Sequence, residues 1–244
     1  MRLVHSIRAF SVAALLVPCA TALAAAVRPA GAAPDVTARD VAYFDQKAAA
    51  AHSALIDMWT DEFASLHRQF LAPRLAPYRN GYARTACGLM SPQNAEYCPN
   101  DNTIYFDDVF VAGQAKQAAQ SLGTDGDMTA VAIIAHEMGH AVAMQLGYRA
   151  RGSYENEAVA DCLAGAFARH AQADGTLEAG DVQEAIYGMA AAGDPEIQLT
   201  GNVRRDARIA RQYQRVAHGT PAQRVSNFRV GLNGGGGACL SVLG

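Results

Sequence analysis

The sequence predicts a mostly helical α+β domain with one small β-sheet. Several long stretches repeat apolar residues every three or four positions, as one face of a helix requires. One of them, 129–144, is apolar almost throughout, has no proline and carries a single charge, Glu137. Residues 74–111 instead break the helical period with proline, tyrosine and asparagine, and hold two runs of β character.

Composition narrows the class. Half of the 244 residues are apolar, which excludes a disordered chain and allows one large core. The formal charge of −3 gives no signal for nucleic acid or an anionic membrane. Residues 1–33 read as a signal peptide and linker. Arg2 and Arg8 are the basic start, and the apolar run from Phe10 to Val17 is too short to span a bilayer. Cleavage after Ala24 or Ala33 suits the small residues there, and Pro18 argues against lipid attachment at Cys19. The expected destination is the periplasm or the exterior, with no transmembrane segment once the signal is removed. The functional domain is expected over 35–232, and 233–244 as a flexible glycine-rich tail.

The first helix is expected from Asp35 to before Pro73. Val41, Phe44, Ala48, Ala51, Leu55, Met58, Phe63, Leu66 and Phe70 would form its buried face, with Trp59 beside them. His52 and His67 read as rim residues. Arg84–Met90 and Asn102–Asp107 are the β runs. Cys87 and Cys98 are close in sequence and flank turn residues, so in an oxidising compartment they form the expected disulfide. Cys162 and Cys239 stay unassigned, and the apolar helical setting of Cys162 suits a buried free thiol. The polar turn 123–127 offers Asp127 as N-cap of the next helix, and Gly147 can end it. Further helices are expected over 154–167, 182–192 and 203–217, the last exposed and arginine-rich. Thr220 and Gln223 form a capping box around Pro221 for a final helix, with Val225, Phe228 and Leu232 buried.

Two constellations carry chemistry. His136-Glu137-Met138-Gly139-His140 is HExxH. On a helix its histidines lie roughly 40° and one turn apart, so both imidazoles reach one ion. Glu137 emerges beside them and can take a proton from water at that ion. Glu157 on the next helix can supply a third ligand. Asp161, one turn on, can accept the N–H of a ligand histidine and fix its tautomer. Glu155 and His170 read as solvated. His218, at a fixed bend before a helix N-terminus, can donate to a developing oxyanion or serve the fold alone.

The chain resembles the bacterial neutral zinc metallopeptidase family from about Tyr82 to Leu232. The resemblance rests on an ordered set of motifs: Ala86–Gly88, YCPNDNTIYFD at 97–107, IAHEMGHAV at 134–142, ENEAVADCLAG at 155–165, AAGDPEIQ at 191–198 and HGTPAQR at 218–224. It implies a gluzincin-like, zincin-type fold in which the HExxH helix and a second ligand helix hold one catalytic zinc. His136, His140 and Glu157 would be ligands, Glu137 the base and Asp161 their outer partner. Pro195 stands where the family commonly has a second aspartate. The expected activity is hydrolysis of peptide or protein substrates by a zinc-activated water. A zinc-stabilised envelope binding protein without turnover, and a zinc amidase acting on cell-wall peptides, use the same residues.

Overall fold

The computed structural model describes residues 34–242, so the signal peptide and its cleavage sites lie outside the described residues. Helix α1 (Ala38–Ser65) starts at Thr37, whose side chain and that of Asp40 form a reciprocal capping box. Its buried residues, Val41 to Phe63, follow the expected spacing. The helix stops short of Pro73. His67 turns to a left-handed φ of 54° and Leu66 is exposed. Phe70 still reaches the core from outside the helix, its ring 5.1 Å from that of Phe63.

The β region holds more strands than the sequence suggests. They are β1 (Arg74–Tyr78), β2 (Ala83–Thr85), β3 (Gly88–Met90), β4 (Ala95–Cys98) and β5 (Thr103–Asp107). Arg84–Met90 is not one strand: it folds on itself as the antiparallel β2–β3 hairpin, which lets Gly88 take its φ of 120°. The three-stranded sheet runs β1-β5-β4, with β1 parallel and β4 antiparallel to β5. Cys87 at the hairpin turn is bonded to Cys98 at the end of β4, which ties the hairpin to the edge strand. Asp107, fully buried, closes the sheet. Its carboxylate accepts N–H groups from Asn80, Gln93, Val109 and Phe110, the last two capping helix α2 (Asp108–Leu122).

Helix α3 (Asp127–Leu146) carries HExxH and lies against α1 and α2. Asp127 is not its N-cap. Gly126 holds that place at φ 80°, pressed so closely on α2 that a Cβ would lie 2.0 Å from the Ala115 carbonyl oxygen. No side chain fits there, so the cap comes from elsewhere. Glu184, fully buried on helix α5 (Asp181–Ala191), accepts the N–H groups of Gly126 and Met128 at 3.0 and 2.9 Å. A buried carboxylate at a helix N-terminus satisfies orphan donors and complements the dipole. Asp127 instead pairs with Lys47 of α1.

Helix α4 (Ser153–Ala173) is sandwiched between α3 and helix α7 (Pro221–Gly234), with the exposed helix α6 (Val203–Val216) alongside. Glycines set both contacts. A Cβ on Gly231 would lie 1.8 Å from the Cys162 carbonyl oxygen, and one on Gly165 would lie 1.9 Å from that of Phe228. Backbone thus packs on backbone between α4 and α7. The expected flexible tail contains a helix, α8 (Gly236–Val242), and the expected free thiol at Cys162 is absent. Helix α8 brings Cys239 beneath α4, where it is bonded to Cys162 with both cysteines fully buried.

That second bridge closes 77 residues. Replacing both Cys162 and Cys239 by alanine should lower stability by about 2–5 kcal/mol, the loop-entropy value for such a span lying near the upper end. A thermal melt checks this. A melting temperature equal to that of the parent would mean that the bridge adds nothing to the fold.

Candidate metal centre

The centre is built by two neighbouring helices and closed by a third. One face of α3 presents Thr129, Ile133, His136, Glu137, His140 and Met144 to a cleft of about 710 Å³. Their spacing of three and four residues puts them on a continuous stripe along the cleft floor. Helix α4 crosses α3 where Gly139 faces Ala160. A Cβ on Gly139 would sit 2.8 Å from the Ala160 carbonyl oxygen. This close crossing brings Glu157 over the histidines.

Three side chains converge. Nε2 of His136 lies 3.2 Å from Nε2 of His140 and 3.2 Å from Oε2 of Glu157, and Nε2 of His140 lies 3.6 Å from Oε1 of Glu157. A tetrahedral zinc with bonds of about 2.0–2.1 Å needs ligand atoms about 3.3–3.4 Å apart. The observed separations fit that requirement, and the donors are those that zinc accepts. Among the described residues one other group of donors clusters, Asp125, Asp127, Asp181 and Glu184, and it is all carboxylate.

The far nitrogens of both imidazoles are held. Nδ1 of His136 is 2.9 Å from Oδ1 of Asp161, which is fully buried. A carboxylate can only accept there, so Nδ1 carries a proton and Nε2 is the nitrogen that faces the centre. The Asn156 side-chain amide lies 3.2 Å from Nδ1 of His140. It is the amide nitrogen Nδ2 that makes this contact; with the amide turned about its axis, its oxygen would accept Nδ1–H and leave Nε2 of His140 for a metal.

Electrostatics favours positive charge at this point. Burial disfavours charge on His136, but hydrogen bonds to Asp161 and Glu157 outweigh it and raise the imidazole to about 10. Burial and the neighbouring His136 lower His140 to about 4, so that ring is neutral at pH 7. Burial would raise Glu157, yet the hydrogen bond to His136 holds its carboxyl down to about 2. Burial raises Glu137 to about 7; the His136 charge opposes that rise and the Glu157 carboxylate adds to it. Glu137 is not one of the converging donors, and its Oε2 accepts the main-chain N–H of Tyr97 on β4 at 2.8 Å. The same helix therefore holds two groups of different chemistry, two imidazoles for a cation and a carboxyl poised near neutrality.

His218 lines the same cleft and is exposed. Asp194, on the loop after α5, accepts the backbone N–H groups of His218 and Gly219 at 2.6 and 3.2 Å. Its other oxygen lies 3.5 Å from Nδ1 of His218. The aspartate of the Gly193-Asp194-Pro195 loop thus fixes the bend that carries His218. Glu155 is held by Arg151 at the mouth of α4, and His170 pairs with Asp174 away from the cleft.

Sequence reasoning passes over Arg224. This arginine of α7 is buried, and its Nε and Nη2 donate to Asp161 at 2.6–3.2 Å. Its Nη1 donates to the Ala192 carbonyl at 3.1 Å. The available signal was its place directly after Gln223, in the first turn of a helix that begins at Pro221, on the face shared with buried Phe228, where an unpaired cation would be costly.

Over residues 21–241 the chain matches the protein family described as "Putative neutral zinc metallopeptidase". It belongs to that family. Membership implies zinc, and the donor set above suits it. Among similar proteins is the uncharacterised protein YpfJ of Escherichia coli K12, 34% identical over 206 residues, which are 77% of this chain and 67% of that protein. An uncharacterised Mycobacterium tuberculosis H37Rv protein is 30% identical over 177 residues, 64% of this chain and 57% of its own. No solved structure matches the chain.

The crossing at Gly139 makes a direct prediction. Gly139→Ala should push α4 from α3, cost about 1–3 kcal/mol and weaken zinc retention. A melt and elemental analysis of the dialysed protein measure both. Unchanged values would show that the close crossing does not position the donors.

Proposed function

We propose that the protein is an exported zinc metallopeptidase in which His136, His140 and Glu157 hold the metal and Glu137 is the general base. The carrying observation is the convergence of three side chains whose donor atoms lie 3.2–3.6 Å apart, with the carboxyl of Glu137 beside them but outside the group. Zinc, when bound, supplies a Lewis acid that polarises a peptide carbonyl and acidifies water. The chain's own residues do the rest. Glu137, raised to about 7 by burial, takes a proton from the attacking water and returns it to the leaving amine. The Tyr97 N–H keeps one oxygen of Glu137 oriented while the other stays available. Asp161 holds His136 so that it presents Nε2 to the centre, and the Asn156 amide contacts the far nitrogen of His140.

Strand β4 supports a peptide as substrate. Residues 94–97 form one wall of the cleft, and β4 is an edge strand among the described residues. An extended peptide can add to such an edge by main-chain hydrogen bonds and lie across the centre. His218, braced by Asp194 at the cleft, would donate to the oxyanion. The two disulfides agree with an oxidising compartment, and no helix among the described residues is long and apolar enough to cross a membrane.

Glu137→Gln should reduce hydrolysis of a mixed peptide library by about 10²–10⁴-fold while zinc content stays that of the parent. Undiminished turnover would remove Glu137 from the mechanism. Glu157→Ala should lose the metal, and full zinc occupancy in that variant would exclude Glu157 as a ligand. A parent protein that holds zinc yet cleaves nothing in the library, with or without added zinc, would favour a binding protein.

A further inference from the structure

Two tautomers compete at His136, and the outcome decides whether its Nε2 can face a metal. Nδ1 is 2.9 Å from Oδ1 of Asp161 and 3.3 Å from Nη2 of Arg224. An arginine has donors only. Were Nη2 to donate to Nδ1, the ring proton would have to sit on Nε2, at the point where Glu157 and His140 meet. The guanidinium sits closer to Asp161 than to the ring, with Nη2 2.6 Å from Oδ1 against 3.3 Å from Nδ1. Nη2 donates to Oδ1, and Nε lies 3.2 and 3.1 Å from the two oxygens. Nη1 is engaged by Ala192. The carboxylate is clamped from one side and has one direction left, towards Nδ1–H of His136.

The clamp is built into the packing of α7. Gly165 and Gly231 let α4 and α7 touch backbone to backbone, with no room for a Cβ on either. The capping box at Thr220 and Gln223 fixes the first turn of α7, in which Arg224 sits. Arg224 therefore reaches Asp161 from a rigid element.

We propose that Arg224 is a positioning residue of the metal centre: it orients Asp161, and through Asp161 it fixes His136 with Nε2 towards the metal. This makes α7 a third component of the centre, though none of its side chains is among the three ligands. The inference rests on the reading of His136 as a ligand.

Zinc affinity of the full chain, measured by competition with a chromogenic chelator, tests it, together with the absorption spectrum of the cobalt-substituted protein. Arg224→Met should weaken zinc binding about 10–100-fold, as loss of such outer contacts does elsewhere, and should shift the cobalt bands. Arg224→Lys, which keeps a cation in the same place, should recover part of that loss and provides the measurement should the methionine variant not fold. Because Arg224 acts through Asp161, Arg224→Met in an Asp161→Asn background should change affinity by no more than about two-fold. Parental affinity and cobalt bands in the folded Arg224 variants, or losses that multiply in the double variant, would overturn the proposal. Glu157→Ala separates the two readings. If it loses zinc while the Arg224 variants keep parental affinity, only this inference falls. If it binds zinc as tightly as the parent, the ligand set falls as well.

Discussion

The donor atoms of the centre come from separate helices, and only the close crossing of α3 and α4 brings them together. Two imidazoles one helical turn apart fall on one face of α3 by geometry alone. The Glu157 carboxylate has no such guarantee. It arrives because Gly139 lets the Ala160 backbone approach to a distance that any larger residue would forbid. The remainder of the fold serves that crossing. Glu184 caps α3 from α5, Gly126 seats α3 on α2, and α7 braces α4 from its far side.

Burial gives the centre its character and also its cost. Glu137, Glu157 and Asp161 are all largely removed from water, with Arg224 as their fixed cation. Buried charge is unfavourable unless paired. The surplus of carboxylate is what makes a divalent cation welcome there. The same burial leaves Glu137 raised where Glu157 is lowered, since the partner of Glu137 is a main-chain N–H and not an imidazole. The two carboxylates, Glu157 and Glu137, thus differ by what each faces. Strand β4 takes part in both tasks, as the wall of the cleft and as the partner of Glu137.

The helices were legible because their apolar spacing is long and regular, and α1, α3, α4, α5 and α7 lie close to where that spacing puts them. The HExxH histidines and the Glu157–Asp161 pair were legible because helical geometry converts spacing into proximity. What stayed hidden depends on contacts distant in sequence. Strands β1 and β4 are short and gain their identity from β5. Helix α2, between the β runs and the HExxH helix, is rich in alanine and glutamine, a composition with weak apolar contrast between its faces. Helix α8 is glycine-rich, and its place is set by a bridge to a cysteine 77 residues away. The Glu184 cap, the Asp194 brace at His218 and the Arg224 clamp join residues with no sequence period between them.

Zinc K-edge X-ray absorption on the purified chain tests the central claim most directly, because it reads the ligands without requiring a substrate. A shell of nitrogen and oxygen alone, with the multiple-scattering pattern of two imidazoles and bonds of about 2.0–2.1 Å, is the predicted result. Sulfur in that shell, or a spectrum with a single imidazole, would contradict it.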